Sequence, residues 1–369
     1  MRWLIALSLL LVACSSSKTV TNIDEHAWGY EATYNTQSNT KAAMQISVEV
    51  EDGILFFPFV ETSTGTKTGM LYHNFTKDSI SIINANPNAV CTFSNLENCS
   101  STINGTFGYF QYFNHHIYYV AQEMDPKTEQ LSLVLRRFDL QGQNEEKLFT
   151  IQRNINNQES YGFSYTIHKG YLYYAFDKDN IYKINMEKFE EEEFLDFKGA
   201  DRIRMFFYND IAYINVINFE DGGILYSDVI YKVDLNNNTR EVLLEGISAY
   251  HIDEDNIIYG QQDPPSTYIY NFKTGEHKKI VDDFVVWVYR TDNYYVIDGV
   301  GMSDDSAGNI YLIDMLGNML DSIESPYIFH RMSQGVINNR YYIYEGDTFM
   351  YFPIIDNTFG ELQEVTYEE

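Results

Sequence analysis

One change from polar to apolar recurs seven times along the chain: a short turn of Asp, Asn, Gly or His gives way at once to a run of alternating or doubled aromatic and β-branched residues. The first copies are Glu51-Asp52-Gly53-Ile54-Leu55-Phe56-Phe57, Asn114-His115-His116-Ile117-Tyr118-Tyr119 and His168-Lys169-Gly170-Tyr171-Leu172-Tyr173-Tyr174. Tyr208-Asn209-Asp210-Ile211-Ala212-Tyr213 and Glu254-Asp255-Asn256-Ile257-Ile258-Tyr259 follow, then Thr291-Asp292-Asn293-Tyr294-Tyr295-Val296 and Asn338-Asn339-Arg340-Tyr341-Tyr342-Ile343. Period-two alternation behind a turn predicts a β-strand. A hairpin trails several copies. The clearest runs from Val229 to Asp234, turns through Asn236-Asn237-Asn238 and returns from Thr239 to Leu244; Tyr268–Ile280 and Ile310–Ile323 repeat its shape. Asn and Gly in such turns tolerate positive φ. Helical periodicity is nearly absent, Met186–Phe194 with its Glu190–Glu193 run being the one helix-like stretch, which a solvated loop fits as well.

Short hairpins rich in Tyr, Phe, Ile and Val cannot each bury an apolar face alone, so neighbouring units must stack. Most copies lie near the spacing of about 40 to 50 residues expected of a four-stranded blade. The expected fold is therefore all-β, a β-propeller of seven four-stranded blades over residues 44–369, with six or eight left open by a weak second copy. A β-sandwich pair or a β-solenoid is the alternative architecture. Whether a strand from Met44 to Val50 closes the ring is not readable. The tyrosine doublets Tyr118-Tyr119, Tyr173-Tyr174, Tyr294-Tyr295 and Tyr341-Tyr342 read as core, one ring on each face of its strand.

Composition narrows the partners. Fifty-three acids against 25 basic residues give a formal net charge of −28, which repels nucleic acid and anionic headgroups. A hydrophobic fraction of 44% is far from a disordered composition, so the acidity is a solvated surface over a real core.

The first residues carry a separate signal. Basic Arg2, an apolar run from Leu4 to Val12 and then Ala13-Cys14 have the layout of a secretory leader, about half the length of a bilayer span. Leu11-Val12-Ala13-Cys14 resembles the lipobox of bacterial lipoproteins. That resemblance implies a signal peptide over 1–13, acylation of Cys14 and a polar tether over 14–43. Residence in a bacterial envelope follows, in the outer membrane of a two-membrane cell since Ser15 follows the cysteine. In that oxidising compartment Cys91 and Cys99 make an even pair for a disulfide, two free thiols being the other reading.

Candidate chemistry is sparse. Asp234, Asn236, Asn238 and Glu245 fall at the first, third, fifth and twelfth positions of a calcium loop, but Thr239 stands where the bend calls for Gly. The sibling hairpins lack these ligands, so a plain Asn-rich hairpin is the favoured reading, and calcium is the one cofactor the chain suggests. Asp253-Glu254-Asp255 and Asp304-Asp305 are further acidic turns. His115 and His116 point to opposite faces of a strand, which opposes a shared metal. His168, His251 and His330 stand without spaced cysteine or histidine partners, so no zinc site follows, and His251 and His330-Arg331 are candidates for a central channel. Nucleophile elbows, phosphate loops and dinucleotide fingerprints are absent.

The repeats resemble the propellers of bacterial lipoproteins and of low-density lipoprotein receptor ectodomains, in which a strand such as Tyr171–Tyr174 precedes a hairpin such as Ile181–Asn185. No copy carries the receptor YWTD tetrad, so no binding residue carries over. The expectation is a non-catalytic, membrane-anchored module that binds an envelope protein or a glycan. The rival is a surface polysaccharide or peptide hydrolase or lyase using channel-mouth acids and histidines.

Overall fold

Each polar turn read above joins the first and second strands of a blade. The computed structural model describes residues 47–367 except 51, 58, 63–64, 85–91, 93–102, 105–109, 114, 125–130, 156–162, 177–179, 198, 220–225, 263–264, 301–307, 326–331 and 346–347. These residues form seven four-stranded antiparallel blades in a ring, with no helix among them. Strands follow one another from the axis outward: Ser164–His168, Tyr171–Ala175, Ile181–Asn185 and Glu191–Leu195 in blade 3, for example.

The core is divided into seven apolar clusters, one in each seam between neighbouring blades. The tyrosine doublets explain how one strand serves two seams. Tyr118 packs with blade 3 while Tyr119 packs with blade 1; Tyr341 faces blade 6 while Tyr342 faces blade 1. All eight doublet rings are buried. Outermost strands need only one apolar side, so Glu191, Glu192 and Glu193 lie exposed. The helix-like stretch Met186–Phe194 is accordingly a turn and an outer strand. Asn185 Oδ1 accepts from the Glu187 and Lys188 amides, Phe189 takes a φ of 55°, and Glu191 pairs with Ile184.

Polar bonds stitch the seams. Gln111 of blade 2 accepts from the Ile167 amide of blade 3 at 2.9 Å. Arg204 of blade 4 donates to the Ala249 carbonyl of blade 5 at 2.6 Å, and Asn215 Oδ1 accepts from the Ala249 amide. Tyr341 of blade 7 donates to Asp298 of blade 6 at 2.6 Å.

Blade 1 departs from the pattern twice. Between its strands Gly53–Phe56 and Leu71–Asn74 the chain forms a hairpin, Phe59–Thr62 with Gly65–Thr68, and the latter strand pairs with Ile103–Asn104 to make a separate three-stranded sheet. The second departure is a parallel strand, Thr366–Tyr367, on its outer edge. Close packing also makes Gly53 special, since a Cβ there would lie 2.2 Å from the His73 carbonyl oxygen, backbone that has little room to yield. Gly260 would instead meet the far end of the Tyr250 side chain. Gly53→Ala is expected to cost about 1–3 kcal/mol and Gly260→Ala less, as read from urea midpoints. Equal losses would mean that the blade 1 backbone accommodates the methyl.

Candidate functional site

Antiparallel topology sends the connections to two unlike ends. Links from first to second and from third to fourth strands emerge at one end, and these are tight turns. Nearly all residues with positive φ sit there, among them Asp78, Asn144, Asn209, Asn238 and Asn339. Asp or Asn caps the outer turns: Asn74, Asp139, Asn185, Asp234, Asn271 and Asp314 each accept backbone amides two to four residues on. Links from second to third strands and from blade to blade leave at the opposite end. They include Phe59–Thr62, Gly65–Thr68 and Ile103–Asn104, which form the extra sheet of blade 1.

At the tight-turn end of the seam between blades 5 and 6 lies a buried polar cluster. The Asp253 carboxylate is 2% exposed. Its Oδ1 accepts from the Asp255 and Asn256 amides at 2.8 and 2.9 Å, fixing the first turn of blade 5. Its Oδ2 accepts from the Tyr295 hydroxyl at 2.5 Å, with His251 Nε2 at 3.2 Å and Arg290 Nε at 3.1 Å. Asn256 donates to Tyr295 Oη and to the Met315 carbonyl, and the Arg290 guanidinium lies 6.0 Å from the Tyr208 ring of blade 4. Burial pushes the Asp253 pKa up, but the His251 hydrogen bond and the His251 and Arg290 charges outweigh it and leave the carboxyl below the ordinary value. Burial and the Asp253 charge hold Tyr295 well above its ordinary value, so it stays a donor. A general acid needs a raised carboxyl pKa, and a general base a lone pair free to take a proton. The Asp253 pKa is lowered and both of its oxygens already have partners, so the cluster joins the two blades as a polar clamp.

The other predicted residues are scattered. His168 is buried at the end of the inner strand of blade 3, bonded through Nε2 to the Asn209 carbonyl at 2.7 Å, and burial pushes its pKa down to about 4. His115 is exposed in a turn with φ 60°, and the His116 ring lies 6.4 Å from that of Tyr118. Asp234 Oδ1 accepts from the Asn236 amide and Oδ2 from Asn237 Nδ2, while Glu245 pairs with Val229 at the far end of the hairpin. The four calcium candidates are thus not brought together. Among the described residues no three His, Cys, Asp or Glu side chains are placed to hold a metal ion. Cys14, Cys91, Cys99, Asp304, Asp305, His330 and Arg331 lie outside the described residues. Arg290, Tyr295 and Asn256 are the functional neighbours of Asp253 that sequence reading missed, lying in different strands with no fixed spacing to betray them.

No family model matches the chain, and no curated protein matches it in sequence. Solved structures match it as a fold. The β-propeller domain of the trilobed protease from Pyrococcus furiosus, described as having an open velcro topology, gives a TM-score of 0.53 at 14% identity, over 88% of this chain and 97% of that one. The likeness is one of fold. Acylaminoacyl peptidase from Pyrococcus horikoshii gives 0.52 at 13% identity over 87% of this chain, which spans only 52% of that peptidase. A computationally designed protein, Ika8, reaches 0.53 at 10% identity, with 89% and 91% of the two chains covered.

Proposed function

We propose that the chain is a non-catalytic binding or scaffold module of a bacterial envelope, tethered through lipid on Cys14, that docks an envelope protein or a glycan on the long-connection end of its propeller. The extra three-stranded sheet of blade 1 carries this reading. It is built from the connections of that end and is a sheet separate from the seven blades, so it adds surface where loops can meet a partner. The Asp253 carboxylate points the same way, because Asp253 and His251 are engaged with each other and with blade 6.

A photo-crosslinking amino acid tests the proposal in intact envelopes. Placed at Gln261, Asp282 or Glu324, exposed at the long-connection end, it is expected to give discrete adducts; at Asn144, Asn237 or Thr274, exposed at the other end, it is expected to give none. Adducts only from the second set would reverse the docking face. Cys14→Ala is expected to move the protein from the membrane fraction to the soluble one and to abolish the adducts. Turnover of polysaccharides or peptides by the purified protein would replace this reading with the hydrolase.

A further inference from the structure

Six of the seven seams are crossed by the chain as it passes from the outer strand of one blade to the inner strand of the next. The seam between blades 7 and 1 joins the two ends of the ring and has no such link. Nor does the first strand exchange blades, since Ser47–Val50 pairs with Gly53–Phe56 of its own blade. What crosses is the last described segment. Gln363–Glu364 pairs with the third strand of blade 7, Thr348–Ile355. Two residues on, Thr366 and Tyr367 lie parallel to the outer strand of blade 1, opposite Ser79 and Ile80.

Between those pairings Val365 is the anchor. It is 2% exposed and packs in one cluster with Ile54, Phe56, Leu71 and Ile80 of blade 1 and with Tyr342 and Phe349 of blade 7. Its amide donates to the Phe349 carbonyl at 2.9 Å. Beneath it the blades meet through a polar lock. Arg340 donates to Asp78 at 2.6 Å, and the Tyr342 hydroxyl lies 3.2 Å from His73 Nδ1. The Tyr351 hydroxyl lies 2.6 Å from Gln363 Oε1 and 3.1 Å from Asp78 Oδ2, so one proton serves both the segment and the lock.

The grip is narrow. Glu361, Gln363, Glu364 and Thr366 are exposed, and the parallel ladder is two residues long. Parallel pairing is the weaker kind, and segments held by few buried contacts open at lower free energy than core strands. We propose that residues 361–367 are a detachable latch, a strand whose docking closes the ring and whose release opens the seam between blades 7 and 1 ahead of every other seam.

The test is hydrogen exchange on the full chain, comparing the natural protein with Val365→Asp. Exchange of Gly53–Phe56, Ser79–Ile82 and Arg340–Glu345 is expected to rise about tenfold or more, while Tyr171–Ala175 and Ile211–Phe219 keep their protection. A synthetic peptide of residues 361–369 with the natural sequence is then expected to restore protection in the variant, and a scrambled peptide to leave it open. Unchanged exchange in those strands, an equal rise in all blades, or no rescue by the peptide each overturns the latch. Should Val365→Asp fail to fold, Thr366→Pro, which removes a strand N–H and leaves the Val365 anchor in place, is read by the same measurement with the same outcomes.

Discussion

Asp253→Ala is expected to lower folding stability at neutral pH by about 3–5 kcal/mol, the loss typical of removing one partner of a buried ion pair. Three consequences add in the same direction. Arg290, whose side chain is 5% exposed, loses its buried countercharge. Tyr295 loses the acceptor for a hydroxyl held protonated, and the Asp255 and Asn256 amides lose the oxygen that shapes their turn. Glu254 is the internal control. It reaches the same guanidinium at 3.4 Å but is 41% exposed, so Glu254→Ala is expected to cost less than about 1 kcal/mol. Urea unfolding at constant m-value reads both. Arg290→Met completes a cycle: the double variant with Asp253→Ala is expected to lose less than the sum of the singles by about 1 kcal/mol or more, because neither charge is then left alone. Equal losses for Asp253→Ala and Glu254→Ala would show that the cluster does not hold blades 5 and 6 together.

The legibility of this fold follows burial. In every blade the recurring motif is the second strand, flanked by strands on both edges and by blades on both faces, so Tyr341-Tyr342-Ile343 has no solvent side to dilute its apolar run. Outer strands are half exposed, and Met186–Phe194, which includes most of one, therefore read as a helix or a loop. Closure was hidden for a related reason. Thr366 and Tyr367 form too short a pairing to set up a period, and Val365 gains its meaning only from blades far apart in number, Ile80 beside Phe349. Site chemistry was less legible still. The sequence marks His251 as a channel candidate and Asp253 as part of an acidic turn, yet what decides their role is Arg290 and Tyr295, brought in by the next blade's first two strands. Spacing along one strand carries motifs; contacts across a seam do not.

The same burial makes the ring lose stability as the pH falls from 6.5 to 4. His168 is fully buried, and burial lowers its pKa to about 4 from the 6.5 it has when unfolded. The unfolded chain therefore takes up a proton at this residue as the pH falls through 6.5, and the folded protein does not until about 4. Its contribution is fully present above 6.5, declines across that window at about 1.4 kcal/mol per pH unit, and is lost by pH 4, a total of about 3 kcal/mol. Burial also depresses the His73 pKa, which adds a loss of the same sign. Asp78 and Asp253 are held below the ordinary carboxylate value, so their contributions persist through this window and fade only as the pH falls through their lower folded pKa values. His168→Gln separates the titration from the contact, since its side-chain amide can still donate toward the Asn209 carbonyl but takes no proton. At pH 7 the variant is expected to lose about 1 kcal/mol from a poorer fit; between pH 6.5 and 4 its unfolding free energy is expected to fall by about 3 kcal/mol less than that of the natural protein. Urea titrations at half-unit intervals decide it. Parallel pH profiles would mean that His168 gains its proton in the folded ring, and that blades 3 and 4 part there far more readily than the close packing of His168 against Phe207 implies.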